Sequence, residues 1–152
     1  MAATDEIEHL SVDTCWSLMR TTTVGRLAVV VDDQPDIFPI NYALDQGTVV
    51  FRTGEGSKVA GALSGAVALE ADGYDPRTNR AWSVVVKGKA HSIAEIGDLM
   101  DTLDLPLFPW QGGEKDRFIR ITPGEVTGRR FPVVDPSTWT TLPDGPHRAS
   151  CE

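Results

Sequence analysis

Apolar and polar residues alternate with a period of two over most of this chain, and follow a helical period in only two short places. Behind Ser11, Val12, Cys15, Trp16 and Met19 fall at i, i+3, i+4 and i+7. This spacing predicts a short helix capped by Ser11 with one apolar stripe, in which Cys15 is a buried hydrophobe and not a nucleophile. Residues 24–31, 37–44 and 48–53 are rich in β-branched and aromatic side chains and predict three strands, joined at Asp32-Asp33-Gln34-Pro35 and at Asp45-Gln46-Gly47. Pro39 lies inside the second strand and cannot donate to a ladder, so an edge, a bulge or a ligand laid against the backbone is expected there. A fourth strand is predicted over 66–72. The fifth, over 80–93, is the longest, with Val84 and Val86 opposite Val85 and Lys87 and with Gly88 as a bulge. Ile96, Leu99, Met100 and Leu103 give a second amphipathic helix, and 117–122 and 126–131 a closing hairpin around Pro123-Gly124. The sum is mainly β: an antiparallel barrel with a few short helices.

At 152 residues the chain is long enough for one domain with a core. That domain is expected over 11–131, followed by a polar, Pro-rich tail over 132–152 that wraps the surface or is disordered. Lys and Arg number 14 against 22 Asp and Glu, a formal charge of −8 with no basic block. Neither nucleic acid nor an anionic membrane surface is an expected partner. MAATDEIEH has no basic and apolar leader pattern, and no apolar run reaches membrane-spanning length, which predicts a cytoplasmic protein. Cys15 and Cys151 form no C-x-x-C motif, and His9, His91 and His147 are scattered, so no metal site is expected.

The chemistry-bearing stretch is TVVFRTGEGSKVAGALSGAVALEAD, residues 48–72. It reads as a strand, a glycine turn, a helix opening at Ser57, and a second strand. A helix N-terminus leaves N–H groups unpaired at a positive dipole end, so a turn that also supplies Arg52, Thr53, Ser57 and Lys58 can cradle a phosphate. The same residues also fit a plain capped turn with solvated cations. Glu70, Asp72 and Asp75 suggest paired carboxylates, but Gly73-Tyr74-Asp75-Pro76 carries turn chemistry, and a solvated turn is the expected outcome. Gly54-Glu55-Gly56 lacks the third glycine and the βαβ context of a dinucleotide fingerprint, and no Walker pattern occurs.

Several segments together resemble the FMN-binding split barrels of the pyridoxamine 5′-phosphate oxidase superfamily. They are VGRLAVV, QPDIFPINYAL, VVFRTGEGSKVAGAL, WSVVVKGKA, the Pro109-Trp110 pair and ITPGEVTGRRF, spread over roughly residues 11–131. The resemblance implies a dimeric, antiparallel split barrel in which Arg52, Thr53, Ser57 and Lys58 hold the FMN phosphate and ribityl end. The backbone of Phe38, Pro39, Ile40 and Asn41 would lie along the isoalloxazine ring. Trp82, Ser83 and Trp110 would be contacts donated by the second subunit, since the family's flavin sits at a two-fold interface. The vitamin-processing oxidases of the family have an arginine where this chain has Phe38, and a further basic residue where it has Val59. The resemblance therefore points to flavin binding more than to pyridoxamine phosphate oxidation.

The function expected on this reading is that of a homodimeric FMN-dependent oxidoreductase acting on a small molecule. The cofactor carries the redox chemistry, and no acid–base dyad or other catalytic residue stands out. Two alternatives share the fold: a reductase using the deazaflavin F420, and a binding protein that holds flavin or a tetrapyrrole without turnover.

Overall fold

The computed structural model describes residues 7–53, 65–93 and 117–134. Its elements are β1 (Glu8–His9), α1 (Val12–Met19), β2 (Val24–Val31), β3 (Gln34–Asp45), β4 (Thr48–Thr53), β5 (Ala66–Asp75), β6 (Arg80–Ser92) and β7 (Arg117–Pro132). The strands run in the order β1-β7-β4-β3-β2-β5-β6, every pairing is antiparallel, and a further β6–β7 pairing closes β2 to β7 into a barrel. The fold is a split β-barrel, as the family resemblance implies. The predicted helices after Ser57 and over 96–103 fall outside the described residues, as does the tail from 135 onward.

Local chemistry explains the two hairpins. Asp32 and Asp33 take φ of 49° and 64° between Val31 and its partner Gln34, and Gln46 and Gly47 take 50° and 74° between Asp45 and Thr48. Two-residue turns with positive φ at both positions match the twist of the flanking strands, and Asp and Gly tolerate that backbone. Ser11 caps α1 as expected, its hydroxyl accepting from Thr14 N–H at 3.2 Å. Cys15 and Met19 are buried, whereas Val12 is exposed. Tyr42 anchors the end of this helix to β3, since its hydroxyl donates to the Met19 carbonyl at 2.6 Å.

Three expectations are corrected. The closing hairpin does not exist, because residues 117–132 form one strand that pairs with β6 along its length. Pro123-Gly124 sits instead in a bulge: the register steps from Lys87↔Glu125 to Gly88↔Pro123 and leaves Gly124 over. Gly88 belongs to that bulge, as expected, and a Cβ on it would run into the Thr122 carbonyl oxygen. Second, β5 continues through Gly73 and Tyr74 to Asp75, and the turn comes at 76–79. Third, Glu8–His9 adds a short strand to β7 where only a polar lead was expected.

Inward residues such as Leu27, Tyr42, Phe51, Leu69, Val84 and Ile121 fill one core. Each alternates with an outward neighbour, as the pleat requires. On the outside of β3, β4 and β7 a second cluster forms from Ala43, Val50, Ile93 and Phe118. Pro39 stands opposite Arg26 in the β2–β3 ladder. Among the described residues β4 pairs with β3 only from Tyr42 to Asp45, so the first half of β3 has an unpaired edge where a missing N–H is harmless.

Candidate functional site

Strand alternation sorts the expected site residues into two sets. Ile40, Thr53 and Trp82 are buried on the inner side, and Phe38 packs against the core. Pro39, Asn41, Arg52 and Ser83 occupy the alternate positions, facing out of the barrel, where Pro39 is exposed and the other three are half-buried. Pro39, Asn41 and Arg52 therefore run along one outer surface of β3 and the end of β4. The Arg52 guanidinium lies over the Phe118 ring, 5.1 Å from its centroid, which orients the side chain at the edge of the second cluster. Ser83 also faces outward, but β2 and β5 separate β6 from β3. Three strand spacings place it about 14 Å round the barrel from Asn41. Ser57, Lys58 and Trp110 lie outside the described residues.

The fold adds a group that the linear reading did not select. Arg26 of β2 is paired in register with Glu70 of β5, and its Nε donates to Glu70 Oε2 at 2.6 Å. Its NH2 lies 3.0 Å from Asp72 Oδ2. Glu70 and Asp72 thus lie within the strand expected over 66–72, with a cation beside them. Burial pushes the Glu70 carboxyl up, the Arg26 hydrogen bond draws it down in part, and the neighbouring Asp72 raises it again. Its Oε1 is closed off from solvent and has no hydrogen-bond partner among the described residues. The available signal was an arginine at an outward position of VGRLAVVV and two acids two residues apart in AVALEAD, but the β2–β5 pairing that joins them is not sequential.

Cys15 carries no chemistry here. Burial pushes its thiol up, which disfavours the reactive thiolate. Among the described residues no group of three or more His, Cys, Asp or Glu side chains is placed to hold a metal, and no helix is long and apolar enough to cross a membrane.

A closed antiparallel barrel of this strand order, with its polar groups on the outer surface of β2, β3 and β5, defines a split-barrel protein. The chain belongs to the pyridoxamine 5′-phosphate oxidase family, whose family model matches residues 11–130. It is 33% identical over 139 residues to an uncharacterized protein of Mycobacterium tuberculosis, covering 88% of this chain and 90% of that one. Among solved structures, the FAD binding protein from Mycobacterium smegmatis has a TM-score of 0.75 and 37% identity, over 84% of this chain and all (100%) of that chain. A conserved protein of unknown function from Corynebacterium diphtheriae has a TM-score of 0.71 and 35% identity, over 84% of this chain and 99% of that one.

Proposed function

We propose that this chain binds a flavin nucleotide on the outer surface of β3, with its phosphate at the end of β4, and acts as a homodimeric flavin-dependent oxidoreductase. The observation that carries the reading is that Pro39, Asn41 and Arg52 share one outer surface, with the apolar positions Ala28, Val30 and Ile37 of β2 and β3 beside them. Arg52, with Ser57 and Lys58 from the following turn, supplies the donors that a phosphate requires. Ser83, on the same barrel surface but three strands away, suits a contact given to the flavin of a second copy. The exposed side chains of Val30 and Ile37 (60% and 65%) fit a surface covered in the dimer.

FMN and FAD share the riboflavin 5′-phosphate that this reading invokes. The similarity to an FAD binding protein favours FAD as the second candidate, ahead of F420. The test is a titration of apoprotein with riboflavin, FMN and FAD, followed by fluorescence quenching. Removing one charge-assisted hydrogen bond costs about 1.5–3 kcal/mol, roughly ten- to a hundredfold in affinity. Arg52→Ala and Lys58→Ala should impose that loss on FMN and FAD and leave riboflavin nearly unchanged. Equal losses for all three ligands would move the phosphate elsewhere. Bleaching of the bound flavin by a reduced nicotinamide or by reduced F420 then separates turnover from storage.

A further inference from the structure

The outer surface of β2, β3 and β5 is apolar at Ala28, Val30, Ile37, Pro39 and Ala68, and the triad Arg26, Glu70 and Asp72 borders this patch, with Asn41 and Ser83 on its other side. Within the triad the three side chains have different jobs. Glu70 is spent on Arg26: the 2.6 Å bond to Nε fixes the plane of the guanidinium, and the Glu70 side chain is only 29% exposed. Asp72 is 56% exposed and meets Arg26 through one oxygen, which leaves acceptor capacity toward the solvent side. The Arg26 side chain is 39% exposed; its NH2 is closed off from solvent and meets Asp72 as an ion pair without a hydrogen bond among the described residues, so NH1 is the nitrogen left to face a ligand. One cation against two carboxylates repels a bare anion, so the triad is not a second phosphate site. What it presents side by side, on an apolar floor, is one donor and one acceptor.

That pattern is complementary to a flat heterocycle whose single polar edge is an imide, an N–H between two carbonyls. A flavin has this edge in its pyrimidine ring, at the end remote from the dimethylbenzene. Arg26 directly opposes Pro39 in the β2–β3 ladder, so the triad borders the strand proposed above to line the ring. We infer that Arg26 and Asp72 form a donor–acceptor clamp for the imide edge of the flavin, with Glu70 as the positioning residue that holds the guanidinium in place. Arg26 donates to an imide carbonyl, and Asp72 accepts from the imide N–H. The inference rests on the flavin reading but concerns different atoms from the phosphate contacts.

The probe is 3-methyl-FMN, in which a methyl group replaces the imide proton, compared with FMN in apoprotein titrations read by fluorescence quenching. Leaving a positioned acceptor without its donor costs on the order of tenfold in affinity, and the wild type should prefer FMN by at least about that factor. Asp72→Ala should bring the two ligands to near equality, as should Arg26→Gln, while the ratio of FMN to riboflavin affinity stays at its wild-type value. Glu70→Gln keeps an oxygen for Arg26 Nε and should retain the preference; Glu70→Ala should lose it. Thermal melts of each variant report folding, and the exposed Asp72 keeps the test alive if Arg26→Gln does not fold. A wild type that binds both flavins equally, or a preference that survives Asp72→Ala, would overturn the clamp and leave the phosphate reading standing. A wild type that binds no flavin would overturn both.

Discussion

The sulfur of Cys15 in α1 fills the space that a side chain on Gly128 of β7 would need: a Cβ there would stand 2.5 Å from Sγ and 3.3 Å from Leu10 and Val84 methyl carbons. The helix rests on the barrel at this contact, and both partners are fixed by it. Gly128→Ala should destabilise the protein by about 1–3 kcal/mol, because the neighbours are core atoms and the helix must lift to admit the methyl group. Urea midpoints give the comparison. Shortening the neighbour should relieve the clash, so Cys15→Ala combined with Gly128→Ala should cost less than the sum of the two single changes. Strict additivity would show that α1 does not bear on Gly128.

Arg120 ties the β3–β4 hairpin to β7. Its NH1 donates to Thr48 Oγ1 at 2.6 Å and to Asp45 Oδ2 at 3.0 Å, and the side chain is only 15% exposed. Arg120→Ala would leave a half-buried carboxylate without its cation, at a cost of about 1.5–3 kcal/mol. Asp45→Asn preserves an oxygen for the same contact and should cost clearly less. Chemical unfolding of both variants checks the order, and equal losses would mean that the Arg120 stem, not its charge, does the stabilising.

What was legible in the chain was what local chemistry decides. The runs at 24–31 and 48–53 became strands with those bounds, since β-branched residues between Asp- and Gly-bearing turns leave little choice. Ser11 and the Cys15–Met19 stripe fixed α1 equally well. Pro123-Gly124 was misread because a proline and a glycine suit a hairpin turn and a bulge alike, and only the ladder with a strand 35 positions away in register, Gly88 to Pro123, decides between them. The site was half legible for a related reason. Arg52 and Asn41 belong to stretches whose order along the chain resembles a known flavin barrel. Arg26 and Glu70 are 44 residues apart, and their pairing exists only once β5 has folded back beside β2.

If a second copy covers the outer surface of β2 and β3, a charge placed there must break the assembly without harming the protomer. Ile37 and Val30 point into solvent in the single chain, so Ile37→Asp and Val30→Asp should leave the melting temperature of the protomer nearly unchanged. Burying the new carboxylate in a dimer interface should weaken association on the order of a hundredfold. Light scattering over a dilution series reads the result, and a dimer that tolerates both changes would have to use another face.

Glu70 makes the stability of the barrel depend on pH in a direction opposite to that of most carboxylates. The charged groups beside it are Arg26 from β2 and Asp72 on its own strand, with Lys87 two positions along the neighbouring β6 from its partner Val85. Burial outweighs the Arg26 hydrogen bond, so the folded-state carboxyl is raised above its unfolded value. A raised carboxyl contributes stability below the unfolded value, where it is protonated in both states. That contribution is lost as the pH climbs through the folded value, because ionisation is then easier in the unfolded chain. Glu70→Gln does not titrate and still offers Arg26 an oxygen. The melting temperature of the variant minus that of the wild type should therefore grow more positive as the pH rises above the unfolded glutamate value of about 4.3. Paired thermal melts above that value measure the difference directly. A difference that falls with pH would mean that Arg26 dominates and that Glu70 is held ionised as an ordinary ion-pair partner.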